Sequence, residues 1–239
     1  MRRHVLGDVG GVMPQASRSH RDLRGILRLY LVTDPELCSQ HGLLETVRDA
    51  VRGGVSVVQL RDKTATTSAL VGMGRDLAAV LADTGVPLVV NDNVEAAIAI
   101  GADGIHVGQG DMKVEEVRQL VGPDMILGLS CATVEDAIQT PADLVDYIGV
   151  SPVFATPTKT DHSLAVGIDG LRAIAVATPL PKVAIGGLKS YHCKAIFENG
   201  ADGVAVVSAI CGQPDVKQAA SALSNMITQA TAHRKRLEL

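Results

Sequence analysis

From Leu29 onward, short apolar runs alternate with longer stretches in which apolar residues recur every third or fourth position. The runs are Leu29 to Thr33, Val55 to Arg61, Pro87 to Asn91, Gly104 to Val107, Met125 to Ser130, Tyr147 to Val150, Lys182 to Ile185 and Gly203 to Val207. Each spans four to seven residues and is rich in Val, Ile or Leu, which predicts strands covered on both faces. The stretches between them, such as Leu43, Leu44, Val47, Ala50, Val51 and Leu70, Met73, Leu77, Val80, Leu81, carry the helical spacing. Gly53-Gly54, Gly101-Ala102-Asp103-Gly104 and Gly200-Ala201-Asp202-Gly203 repeat ahead of the second, fourth and eighth runs and read as helix ends, because glycine accepts the left-handed backbone that terminates a helix. Eight β-then-α units in about 200 residues predict an α/β fold, a single (β/α)8 TIM barrel with helices outside. An open doubly wound sheet is the alternative topology.

Composition narrows the class. With 46% apolar residues, 2% aromatics and no Trp, the core must be built from Val, Ile, Leu and Ala. The net charge of −4 supplies no basic field for nucleic acid, and the only clustered cations are the run His233-Arg234-Lys235-Arg236. Cys38, Cys131, Cys193 and Cys211 are widely spaced with no CxxC pair, as expected of reduced, buried thiols. No window has the length and apolarity of a membrane span, and no apolar signal region opens the chain, so a soluble, cytoplasmic protein is expected. Residues 1–25 read as a flexible leader, 26–231 as the barrel and 232–239 as a short basic tail. A homo-oligomer stays open.

In a parallel barrel the chemistry gathers at the C-terminal ends of the strands. Polar residues recur there: Gln59, Arg61, Asp62 and Lys63 after the second run, Asn91, Asp92 and Asn93 after the third, His106, Gln109 and Asp111 after the fourth, Ser130 after the fifth. The sixth run leads into a long hydroxyl-rich segment through Thr156, Pro157, Thr158, Lys159 and Asp161. Gly186-Gly187 and Val207-Ser208 end the last two strands, where backbone amides commonly cradle a phosphate. Two carboxylates on adjacent strands, Asp92 and Asp111, suit Mg2+, which takes few protein ligands and keeps water and phosphate oxygens. Arg61, Lys63 and Lys159 add cations on the same face, so a diphosphate and a second, singly phosphorylated molecule are the expected ligands.

Each residue also has a plainer reading. The segment Gln59-Leu60-Arg61-Asp62-Lys63 could be a solvated strand end, and Asp92 and Asp111 could each cap the following helix. His106 could make a structural hydrogen bond or lie beside substrate. Ser130 has no triad partners in sequence and fits a hydrogen-bond donor better than a nucleophile. Gly186-Gly187 could be only a tight turn.

Six ordered motifs then carry a family resemblance: QLRDK at 59–63, NDN at 91–93, GIHVGQGDM at 104–112, TPTKTD at 156–161, AIGGL at 184–188 and VVSAI at 206–210. From Leu29 to about Ile227 the chain resembles the thiamine-phosphate synthases. The resemblance implies condensation of 4-amino-2-methyl-5-(diphosphooxymethyl)pyrimidine with 4-methyl-5-(2-phosphooxyethyl)thiazole, giving thiamine phosphate and diphosphate by a dissociative route. It implies pyrimidine-diphosphate contacts at Gln59, Leu60, Arg61, Asp62, Lys63, Asn91, Ser130 and Lys159, of which Arg61, Lys63, Ser130 and Lys159 act in catalysis. It implies Mg2+ ligands at Asp92 and Asp111, and thiazole-phosphate contacts at Thr156, Pro157, Thr158, Gly187, Val207 and Ser208. Asp62 stands where some members carry Glu. The related thiazole tautomerases share the barrel, and a precursor-binding barrel without turnover is a third reading.

Overall fold

The computed structural model describes residues 22–156 and 164–237. Eight parallel strands close into a barrel in chain order: β1 (Leu29–Val32), β2 (Val57–Leu60), β3 (Leu88–Asn91), β4 (Gly104–Val107), β5 (Ile126–Cys131), β6 (Tyr147–Val150), β7 (Lys182–Ile185) and β8 (Gly203–Val206). Strand β8 pairs back onto β1, with Leu29 opposite Val204. The helices are α1 (Leu23–Ile26), α2 (Pro35–Cys38), α3 (Leu43–Arg52), α4 (Thr67–Leu81), α5 (Val94–Ile100), α6 (Val114–Val121), α7 (Val134–Gln139), α8 (Gly167–Ala177), α9 (Cys193–Glu198) and α10 (Val216–Leu237). The eight expected strands are all present, and the closed ring excludes the open sheet.

Strand alternation splits the apolar side chains into two separate clusters. Leu31, Val58, Leu60, Val90, Ile105, Leu127, Ile148 and Val204 join helix residues such as Val47, Leu77 and Ile196 in the layer between sheet and helices. Tyr30, Val57, Val89, Ile126, Tyr147, Val183 and Ala205 fill the barrel interior. All four cysteines are free and buried. Helix α1, capped by the Asp22 carboxylate on the Gly25 amide, sets Leu23 and Ile26 against the interior cluster from below.

A repeated clamp fixes the lower rim. The residue just before each even-numbered strand accepts, on its side chain, a hydrogen bond from an amide at the start of the odd-numbered strand beside it, the first residue in β1, β3 and β7 and the second in β5. Leu29 donates to Ser56 Oγ (3.0 Å), Leu88 to the Asp103 carboxylate (2.9 Å), Leu127 to Asp146 (2.8 Å) and Lys182 to Asp202 (3.0 Å). Ser56, Asp146 and Asp202 return a backbone bond to the same residue, their amides donating to the Leu29, Leu127 and Lys182 carbonyls, while the Asp103 carbonyl accepts the Ile126 amide of β5 on its other side. The aspartates in the repeated Gly-Ala-Asp-Gly phrases therefore do more than follow a helix end: they pin strand pairs in register.

Two of these aspartates are paired with arginine. Arg118, 8% exposed, donates to Asp146 and to the carbonyls of Gly122, Met125 and Leu144. Asp202 faces Arg24 of α1 and Arg234 of α10, and Arg234 also donates to the Ala201 carbonyl at 3.0 Å. Helix α10 runs on through residues 232–237, and α1 spans the expected boundary between residues 25 and 26, closing the barrel floor. The rest of the leader, residues 1–21, lies outside the described residues.

Arg118→Ala takes away the cation paired with the Asp146 carboxylate, which keeps the Leu127 amide, and leaves three carbonyls short of a donor. We expect a loss of about 3–5 kcal/mol in denaturant unfolding, with turnover per folded molecule unchanged because the lower rim is remote from the mouth.

Candidate active site

Side chains at the inward positions of the strands rise toward the mouth. In β2 these are Val57 and Gln59, and Arg61 continues the alternation one step beyond the strand. Thr33 Oγ1 accepts the Arg61 amide at 3.1 Å, which holds the strand exit against β1. Leu60 points the other way, into the sheet–helix layer, so any ligand contact it makes is through its backbone. The Asp62 carboxylate accepts from the Thr64 amide and hydroxyl and the Ala65 amide at 2.8–3.1 Å, folding the loop that carries Lys63. Those bonds, the Thr64 hydroxyl first, lower its pKa.

The two candidate metal ligands are free of the capping duty that the plainer reading gave them. Helix α5 is capped by Asn93, whose side chain accepts the Ala96 amide at 2.8 Å, and α6 begins at Lys113 with no side-chain cap. Asp92 instead sits at φ 60°, the only non-glycine with positive φ among the described residues. Its amide donates to the His106 carbonyl at 2.9 Å, tying the end of β3 to β4. Such a backbone costs energy in a residue with a Cβ, and it turns the carboxylate across the mouth. There it meets Asp111, whose carboxylate accepts the Gly108 amide at 2.7 Å and closes its own loop. Burial pushes the Asp92 carboxyl up to about 6, and the facing Asp111 charge pushes the same way, against Lys63 and Asn91. Among the described residues no three His, Cys, Asp or Glu side chains gather around a metal-sized site. A two-carboxylate pair fits a hard cation that completes its shell from water and phosphate, and it does not fit a caged transition metal.

Ser130 is held by His106. The Ser130 hydroxyl lies 3.0 Å from His106 Nε2, and the Ser130 carbonyl accepts from the side-chain Nε2 of Gln109 at 2.9 Å. Behind this pair stands a polar chain not anticipated from the sequence. His106 Nδ1 is 3.0 Å from the Tyr147 hydroxyl, the Tyr147 and Tyr30 hydroxyls are 2.9 Å apart, and Gln59 Nε2 donates to Tyr30 at 2.9 Å. Tyr30 and Tyr147 are 2% and 1% exposed and Gln59 is 5%. Two of the chain's three tyrosines thus stand in the middle of the barrel. The usable signal was their inward parity in β1 and β6 in a chain almost without aromatics. Room for the two rings comes from Gly128, where a Cβ would lie 2.3 Å from Tyr147 Cζ and 2.4 Å from His106 Nδ1.

On the opposite side of the mouth, Gly186 (φ 105°) and Gly187 (φ 63°) follow β7. A Cβ on Gly187 would stand 2.6 Å from the Ala155 carbonyl, and one on Gly186 would stand 2.7 Å from Pro152 Cβ. The pair is therefore where the segment after β6 packs backbone to backbone, with Val153 and Phe154 amides donating to the Ile185 and Gly186 carbonyls. Thr156 is the last described residue of that segment. Beyond β8 the Ile210 and Cys211 amides both return to the Val207 carbonyl, turning the chain at Val207-Ser208. Pro157, Thr158 and Lys159 lie outside the described residues.

Comparison with known proteins agrees with this arrangement. A family model described as thiamine monophosphate synthase matches residues 29–210. The thiamine-phosphate synthase of Xanthobacter autotrophicus is 48% identical over 204 residues, covering 85% of this chain and 97% of that one. That of Azorhizobium caulinodans is 46% identical over 201 residues, covering 84% and 95%. The solved thiamine phosphate pyrophosphorylase from Pyrococcus furiosus superposes with a TM-score of 0.80 at 33% identity, covering 87% and 98%. A 3-hexulose-6-phosphate synthase structure at 17% identity and a TM-score of 0.62 shares the fold alone. With a matching barrel, the motifs in order and near-complete coverage of its relatives, the chain belongs to the thiamine-phosphate synthase family, enzymes of thiamine biosynthesis.

Proposed function

We propose that this enzyme joins 4-amino-2-methyl-5-(diphosphooxymethyl)pyrimidine to 4-methyl-5-(2-phosphooxyethyl)thiazole, releasing diphosphate, and that Mg2+ bound by Asp92 and Asp111 assists. The observation that carries this reading is the carboxylate pair itself. Two acids turned toward each other beside Lys63, one with its affinity for a proton raised, form a site that a divalent cation relieves. When bound, Mg2+ supplies positive charge to offset the charge that grows on the departing diphosphate.

The remaining work falls to the chain. Arg61 and Lys63, with Lys159 from the segment after β6, form the cationic side of the diphosphate pocket and favour departure of the leaving group. Asn91 hydrogen-bonds Asp92 and orients that carboxylate. Gln59 and Ser130 hold the pyrimidine ring so that its methylene carbon faces the acceptor. Backbone groups at Gly187, Val207 and Ser208, with Thr156, Pro157 and Thr158, grip the thiazole phosphate and bring its ring nitrogen to the methylene as the carbon–oxygen bond breaks. Alignment of two bound partners and stabilisation of the leaving group are all that a dissociative substitution demands. The protein works as a soluble, cytoplasmic enzyme; among the described residues no helix is long and apolar enough to cross a membrane.

The direct test is incubation with both substrates, with and without Mg2+, following diphosphate and thiamine phosphate. We expect both products only with metal. Equal turnover after chelation removes the metal from the scheme, and isomerisation of a thiazole without condensation points to tautomerase chemistry. Asp92→Asn should lower kcat/KM by about 100-fold.

The same substitution has a distinct signature in stability. The folded protein holds the Asp92 proton more tightly than an ordinary carboxyl, about 6 against 3.8. Its contribution is therefore present at low pH and lost as pH rises through about 6. Thermal melts should show the metal-free protein losing stability across that interval, Mg2+ restoring more at pH 7.5 than at pH 5, and Asp92→Asn flattening the metal-free dependence. A melt insensitive to both pH and metal in this range contradicts the paired-carboxylate account.

A further inference from the structure

We propose that Tyr30, Tyr147 and His106 are positioning residues that keep the Gln59 side-chain oxygen available as an acceptor and the Ser130 hydroxyl proton available as a donor at the mouth. The identity of the ring they meet rests on the pyrimidine reading above. The proton inventory carries the argument.

Burial raises the pKa of both phenols, so each keeps its one proton and has one hydrogen bond to give. Gln59 Nε2 donates to the Tyr30 oxygen, so the Tyr30 proton goes to Tyr147. The Tyr147 proton then goes to His106 Nδ1, which makes Nδ1 the acceptor and places the imidazole proton on Nε2. Nε2–H in turn donates to Ser130 Oγ, and the Ser130 proton is directed away from the histidine. At the far end Gln59 keeps its carbonyl oxygen as an acceptor. Reversing any one link reverses every other, so the Gln59 side-chain oxygen and the Ser130 proton are either both left for a ligand or both engaged in the chain. A heteroaromatic edge with an amino donor next to a ring-nitrogen acceptor complements such a pair, and an edge with two acceptors leaves one buried partner unmatched.

A chain with only five Tyr and Phe residues places two tyrosines, joined head to head, where Leu or Val would fill the volume. Gly128, at the cost of a side chain in the middle of β5, makes the space that lets both rings and His106 meet. Buried polar chains stabilise only when every member is satisfied, and this one is satisfied at each described link.

The test combines a measurement on the free protein with one on the reaction. In the substrate-free full chain with 15N-labelled histidine, His106 is assigned by the signals that vanish in His106→Asn. The expected ring is the Nε2–H tautomer, and a wild-type Nδ1–H ring overturns the proposal. In kinetics, Gln59→Ala and Ser130→Ala should be non-additive in kcat/KM for the pyrimidine by about fivefold, and additive within about twofold in the Tyr30→Phe background, which cuts the relay but spares the Tyr147–His106 bond. Additivity in both backgrounds overturns the proposal. So does a Tyr30→Phe variant in which KM for the thiazole phosphate rises in step with that for the pyrimidine, the mark of general loosening. If Tyr30→Phe fails to fold, the wild-type tautomer decides. If the wild-type protein forms no thiamine phosphate, the pyrimidine reading fails and the tautomer measurement alone judges the relay.

Discussion

The register of the barrel is the constraint on which everything above it depends. Side chains alternate between the interior and the helix layer with a period of two, so a slip of one residue in any strand pair would exchange Gln59 for Leu60, or His106 for Ile105. The lower rim prevents that slip by a local device used four times, at Ser56, Asp103, Asp146 and Asp202, each taking an amide from the start of a neighbouring strand. The clamps lie at one end of the strands and the chemistry at the other. Fixing the lower end sets the parity of the upper one, and with it which residues face a ligand.

The site shows the usual exchange between stability and function. Asp92 accepts an unfavourable backbone conformation and a carboxylate neighbour, and Asp111 spends part of its hydrogen-bonding capacity closing its own loop. The strain is held in place from outside by the Asp92 amide on the His106 carbonyl and by the Asn93 cap immediately after it. Glycines at 186 and 187 play the matching part across the mouth, where they allow the segment after β6 to lie against β7 closely enough for backbone hydrogen bonds. Rigid support beneath a strained, charged surface is what the proposed reaction, driven by alignment and leaving-group stabilisation, requires.

Much of this was legible in the chain. Strands buried on both faces announce themselves as continuous apolar runs, and all eight lie within two residues of their expected limits. The polar residues at their upper ends were visible for the same reason. Less legible was the choice among neighbours that compete for one role. Asn91, Asp92 and Asn93 are all credible caps by type, and only the backbone geometry assigns the cap to Asn93 and leaves Asp92 facing Asp111. The aspartates at 103 and 202 read as parts of helix-ending phrases, because their partners are amides on another strand and sequence spacing carries no trace of that. The basic run at 233–236 looked like a tail for want of apolar periodicity, yet Arg234 is anchored by the Ala201 carbonyl and Asp202, contacts from a distant part of the chain.

Gly128 carries one more implication. The space that its missing side chain leaves is filled by Tyr147 and His106 together, so the three positions constitute a single steric unit spread over β4, β5 and β6. A descendant that gained even a methyl group at 128 could not keep both rings where they are, whereas one that lost the tyrosine would inherit a void able to hold a larger residue. Across lineages these three sites should therefore change as a set, and a barrel whose fifth strand carries a bulky residue at this level would be recognisable, from that one position, as having abandoned the buried chain and adopted another way of gripping its ligand.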